Sequence, residues 1–142
     1  STVVDHGIVD PGYRWSGERE RLGVVVNEPV RRWRVAGTDI VLDVATRVPV
    51  DVYGMGMAAL EEAAQRWGRD DGGPDRSSGR RSHGVRPGPD LVTHDDVPQA
   101  AMHDLLARDR AYLHPYRWTS LGLSLLEAMA LVLPVLALST TE

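Results

Sequence analysis

Short runs of β-branched and aliphatic residues alternate along this chain with segments of helical period, and that alternation limits the fold more than any other feature. Gly23 opens Val24-Val25-Val26, a continuous apolar run that fits a strand buried on both faces. Thr38 reads as an N-cap, with Ile40, Val41, Val44 and Ala45 at helical spacing behind it. Val50-Asp51-Val52-Tyr53 is a second strand, closed by Gly54-Met55-Gly56. Met57, Leu60, Ala64 and Trp67 then form one face of a second helix. Order resumes at Leu91-Val92-Thr93. Asp96-Val97-Pro98-Gln99 reads as a capping box with proline in the first turn, ahead of a helix carrying Ala100, Ala101, Leu105 and Leu106. Ala111 to His114 is a further strand, stopped by Pro115. A helix over about Ser124 to Leu131 follows, and Pro134 opens the strand Val135 to Leu138. Strands and helices in this order predict an α/β domain, a Rossmann-like parallel sheet with helices on both faces.

Length and charge narrow the function classes. A chain of 142 residues makes one domain, or one half of a larger enzyme. The net charge of −4 argues against a nucleic-acid binder driven by bulk positive charge. The absence of cysteine excludes a disulfide scaffold, a thiolate metal site and a cysteine nucleophile, and it fits a reducing, cytoplasmic setting. All 16 basic residues are arginine and phenylalanine is absent, a bias of GC-rich coding rather than of function. No basic-then-apolar leader is visible after Ser1. The longest apolar stretch, Ala128 to Leu138, is broken by Pro134 and is short of the roughly 20 residues that span a bilayer. Residues 1–22 read as an entry linker and 23–142 as the domain. Within it, 68–90 reads as a disordered insert whose only aliphatic residue is Val85.

In an open parallel sheet, ligands bind outside the carboxyl ends of the strands. Two segments lie at such ends. After Val26 comes an arginine loop, Arg31, Arg32 and Arg34 around Trp33, ending in Gly37. After Leu113 comes a turn into a helix at Gly122, where the amides of Ser120, Leu121, Gly122 and Leu123 would face outward and favour an anion. Glu127 lies one turn further on, where a carboxylate can accept hydrogen bonds from the vicinal hydroxyls of a ribose. Together these groups describe a nucleoside diphosphate. Each also has an ordinary reading: a capped helix, a surface glutamate, solvated arginines. His94, Asp95, Asp96 and His103 lack the spacing of a metal motif, and no metal is expected. Trp118, beside the turn, is a candidate stacking contact for a base or sugar.

The stretch His114-Pro115-Tyr116-Arg117-Trp118-Thr119-Ser120-Leu121-Gly122-Leu123-Ser124-Leu125-Leu126-Glu127-Ala128-Met129-Ala130, followed by Pro134-Val135, resembles the signature of retaining glycosyltransferases of family four. Those enzymes typically read P-S-x-x-E-G-F-G-L-x-x-x-E-A-M-A and then P-V-V-A. Gly122, Leu123, Glu127 to Ala130 and Pro134-Val135 match at unbroken spacing. The resemblance implies a GT-B architecture of two Rossmann-like halves. This chain would be the C-terminal half, which holds the nucleotide-sugar donor, in truncated form. The N-terminal half, holding most of the site for an unidentified acceptor, would be missing.

Carried over residue by residue, Glu127 matches the glutamate that binds ribose hydroxyls. Its paired glutamate should lie eight positions earlier, where this chain has Thr119, an uncharged contact for the donor sugar. Ser120, Leu121, Gly122 and Leu123 match the stretch whose amides meet the diphosphate. With Gly37 on the family's glycine, Arg31 falls on the phosphate-binding arginine and Ala36 on the lysine, so Arg34 or Arg32 would have to replace that lysine. The resemblance implies sugar transfer with retention, with no cofactor beyond the nucleotide-sugar substrate, and with Arg31 and Arg34 stabilising the departing diphosphate. Two alternatives stand beside it. One is a non-catalytic nucleotide-binding domain, favoured by Thr119 and Ala36. The other is an inactive fragment. A dinucleotide oxidoreductase is weaker, because Gly54-Met55-Gly56 does not follow the first strand.

Overall fold

The computed structural model of the chain describes residues 7–68, 87–118 and 122–139. In chain order the elements are β1 (Arg19–Val25), α1 (Trp33–Ala36), α2 (Thr38–Ala45), β2 (Val50–Gly54), α3 (Met57–Arg66), β3 (Leu91–Asp95), α4 (Gln99–Leu106), β4 (Asp109–His114), α5 (Leu123–Ala130) and β5 (Val135–Ala137). All four strand pairings are parallel, in the spatial order β3-β2-β1-β4-β5. The chain runs outward from β1 through β2 to β3, then returns to build β4 and β5 on the other side. Its switch point therefore lies between β1 and β4, where loops leave towards opposite faces.

The side-chain alternation of the strands divides the interior into two cores. On one face, Val24, Val50 and Val52 pack with Val41, Leu42 and Ala45 of α2 and Met57 and Leu60 of α3. On the other, Tyr53 and Tyr112 pack with Met102 and Leu106 of α4, with Ala128 of α5 and with Leu131 just after it. This is the α/β arrangement with helices on both faces that the alternation predicts.

Several local expectations are corrected. The linker expected over 1–22 already contains sheet. Arg19 to Leu22 belong to β1, and the preceding residues are bonded across the amino edge: the Trp15 amide donates to Leu131 C=O and the Ser16 amide to Ala107 C=O. Charge hides this strand. Arg19 and Arg21 point into the second face and pair with the fully buried Asp51, so the pattern looks polar where the structure is interior.

Thr38 is not an N-cap. It is the first residue of α2, buried, with its hydroxyl donating to Pro29 C=O, and the cap position is Gly37. The capping box at Asp96 does not form either. Asp96 has φ +48°, α4 starts after Pro98, and it is Asp95 whose Oδ1 accepts the Met57 amide at the start of α3. Helix α4 buries Met102, His103 and Leu106 and leaves Ala100 and Ala101 exposed. The arginine loop contains the short helix α1. Of the expected insert, Asp90 is structured, its amide bonded to Ala45 C=O, while residues 69–86 lie outside the described residues.

Candidate functional site

The loops that leave β1 and β4 meet at the carboxyl edge of the sheet. Gly37 adopts φ +67°, and a Cβ there would lie 2.0 Å from the carbonyl oxygen of Pro115. Only glycine allows this approach. Beside it the Arg117 guanidinium forms a two-pronged pair with Asp39, both contacts 2.7 Å, and donates to Arg34 C=O at 3.1 Å. The Arg117 amide donates to Val35 C=O. A planar fork matched to a carboxylate is the most directional ion pair available to a protein. It holds the Asp39 carboxyl below the usual carboxylate range, chiefly through the Arg117 hydrogen bonds, against the opposing effect of burial.

Within this frame Arg31, Arg32 and Arg34 are all exposed. Among the described residues none of the three forms an ion pair. Arg32 sits over the Tyr116 ring, 5.8 Å from its centroid, a cation–π distance. Of the three, it is the one held against the end of β4. Trp118 is exposed, and Leu123 opens the first turn of α5 in contact with solvent.

Gly122 is the N-cap of α5, and among the described residues no side chain caps that helix. The open side of Gly122 is not vacant. A Cβ there would lie 2.9 Å from Cε1 of His114 and 3.3 Å from its Nε2. The glycine thus makes room for a buried imidazole, where its place in the sequence suggests close approach by a ligand. His114 is 5% exposed, and among the described residues neither ring nitrogen has a hydrogen-bond partner. Its ring lies between those of Tyr112 and Tyr116, and burial holds its pKa below the ordinary histidine value. Thr119, Ser120 and Leu121 lie outside the described residues.

Glu127 is not open to solvent as a surface ribose ligand would be; it is 8% exposed. Helical geometry explains this. Ala128 and Leu131 face the sheet, so Glu127, one residue earlier and about 100° around the axis, faces the neighbouring helix α4. There its Oε1 accepts a hydrogen bond from the Gln99 side-chain amide, and its Oε2 lies 3.5 Å from Nε2 of His103. Gln99 and His103 are one turn apart on one face of α4. The sequence alone singles out neither as a partner of Glu127. Their four-residue spacing on a helix adjacent to α5 is the available signal.

Gln99 also lines a cavity of about 280 Å³ outside the carboxyl ends of β1 and β2, together with Val25, Asn27, Gly54, Asp96 and Met102. That is near the lower end of small-molecule pocket sizes. A larger cavity of about 740 Å³ lies between α3 and the edge strand β3 and contains none of the predicted site residues. Among the described residues no cluster of His, Asp and Glu has the makings of a metal site, and no helix is long and apolar enough to cross a membrane. No family model, curated protein or solved structure matches the chain.

Proposed function

We propose that this chain is the donor-binding domain of a retaining glycosyltransferase, holding a nucleoside diphosphate sugar in the crevice at the β1–β4 switch point. One observation carries the reading beyond the sequence motif: the arginine loop after β1 and the turn after β4 are locked together at the carboxyl edge through Gly37, Pro115, Asp39 and Arg117. Among the described residues, a helix start with no side-chain cap and three guanidinium groups with no ion-pair partner therefore share one edge, and both favour an anion.

In this reading Arg31, Arg32 and Arg34 face the diphosphate with the first turn of α5, and Glu127 takes the ribose hydroxyls. The cavity beyond Gln99 takes the base. The sugar leaves its diphosphate as negative charge builds on the phosphate oxygens, and fixed arginines and amides stabilise that charge without reorganising. The acceptor site belongs to a partner half. The prior engagement of Glu127 by Gln99 and His103 favours a second reading, nucleotide binding without transfer.

Calorimetric titration with UDP, GDP and ADP tests both. At least one is expected to bind saturably, with affinity falling as salt rises. Arg32→Ala and Arg31→Ala are each expected to weaken binding by about 10-fold or more, the loss of one charge-assisted contact. Absence of binding by all three diphosphates would overturn the proposal. Transfer with the acceptor half supplied separates an enzyme from a binding module.

A further inference from the structure

Glu127 is buried, yet the residue covering it on the cavity side is not: Gln99 is exposed, lines the cavity, and donates its side-chain amide to Oε1 of Glu127. The other neighbour of the carboxylate, His103, is buried, and its Nε2 lies at ion-pair distance from Oε2 with no hydrogen bond among the described residues. One carboxylate oxygen is therefore held by an exposed side chain whose amide water can solvate once another donor replaces it. The other faces a group fixed in the interior.

We infer that Gln99 is a positioning residue that stands in for a vicinal diol: in the empty site its amide occupies the carboxylate oxygen that a ribose takes when a nucleotide enters the cavity. This rests on the donor-binding reading above and names the part of the ligand that the site senses. The amide and a hydroxyl are both donors, so Oε1 keeps one hydrogen bond throughout. Leaving a buried carboxylate without that bond is costly, which is why a substitute belongs there in the empty state. The released Gln99 amide turns to solvent or to the ligand in the cavity.

Gln99→Leu keeps similar bulk and removes the donor, so the empty state alone loses a hydrogen bond. The variant is expected to melt at a lower temperature than the parent and yet to bind the preferred ribonucleoside diphosphate several-fold more tightly, up to ~10-fold. The matching 2′,3′-dideoxynucleoside diphosphate, which has no diol, should gain nothing. Gln99→Asn, too short to reach, serves as a second variant and should shift in the same direction. In the parent, the Gln99 side-chain NH2 resonances should move on adding the ribonucleotide and stay in place with the dideoxy form.

Unchanged or weaker binding in both variants, with the parent binding normally, overturns the role of Gln99 and leaves donor binding standing. Equal gains for ribo and dideoxy ligands overturn diol sensing in the same way. A parent chain that binds no nucleoside diphosphate overturns both readings together, and is distinguished by the parent titration alone.

Discussion

Gly37→Ala is expected to cost at least about 3 kcal/mol of folding stability, read as a fall in the urea midpoint at constant slope. Two effects add. The residue holds φ +67°, a conformation that penalises a side chain by about 1–2 kcal/mol. The larger effect is steric: the new Cβ would sit 2.0 Å from the carbonyl oxygen of Pro115 and 2.9 Å from its carbonyl carbon. Those are backbone atoms, so no rotamer change relieves the contact. The β4–α5 connection must move away from α1 and α2. Domains of this size are commonly stable by only about 5–15 kcal/mol, so the loss is a large share of the whole.

Gly56→Ala is the control. Its φ is +82°, but the nearest atom to a Cβ is the flexible Glu28 carboxylate at 3.2 Å. About 1–2 kcal/mol is expected there, the conformational part alone. Equal losses at the two positions would show that the Gly37–Pro115 contact is not what joins the loops. Because that contact also aligns the arginine loop with the start of α5, Gly37→Ala should depress nucleotide affinity even under conditions where the variant remains folded.

The layered fold is legible in the sequence because its signals are local. Each core-facing set recurs at period two in β2 or near period 3.6 in α2 and α3, and no distant contact is needed to see it. What escapes is decided by distant partners. Arg19 and Arg21 look like linker because the buried carboxylate that pairs with them, Asp51, lies 32 and 30 positions away. Asp96 has the right offset for a capping box, but the neighbouring Asp95 caps α3, a choice made by the alignment of β3 beside β2. At the candidate site, Gly37 and the arginine loop stand out in the sequence, while the pinning pair Asp39 and Arg117 does not. Glu127 stands out too, but its facing direction depends on where α4 lies, and helix packing is absent from a one-dimensional pattern. His114 reads as the end of a strand, and nothing local shows that its ring is buried with no hydrogen-bond partner among the described residues.

Asp109→Asn is expected to stabilise the chain at pH 8 and to leave it nearly unchanged at pH 4. Asp109 opens β4 with no solvent exposure, in space that Gly23 provides by lacking a side chain. Its Oδ2 accepts a 2.8 Å hydrogen bond from the Tyr53 hydroxyl, and Arg19 lies 3.4 Å from Oδ1. Burial is the dominant influence and pushes the acid up to about 7; the Tyr53 hydrogen bond opposes it, Asp51 reinforces it, and Arg19 and Arg21 oppose it. In the unfolded chain the same acid titrates near its ordinary value of 3.8. Between these two values the folded state holds a proton that the unfolded state has lost, so stability falls as pH rises through the window.

The gap between 3.8 and about 7, at about 1.4 kcal/mol for each pH unit, puts the full effect at about 4 kcal/mol above pH 7. Asparagine imitates the protonated acid at every pH and removes that slope. The buried His114 acts in the opposite sense: its depressed pKa makes stability fall as pH drops below about 6.5, the ordinary value. The parent curve alone therefore mixes the two. The difference between parent and Asp109→Asn, measured by urea unfolding at intervals from pH 4 to 8, isolates the acid because His114 is common to both chains. A difference that stays flat across that range would mean the cluster of Arg19, Arg21, Asp51 and Tyr53 keeps Asp109 ionised in the fold, as two guanidinium groups beside two carboxylates could do if the arginines outweigh burial.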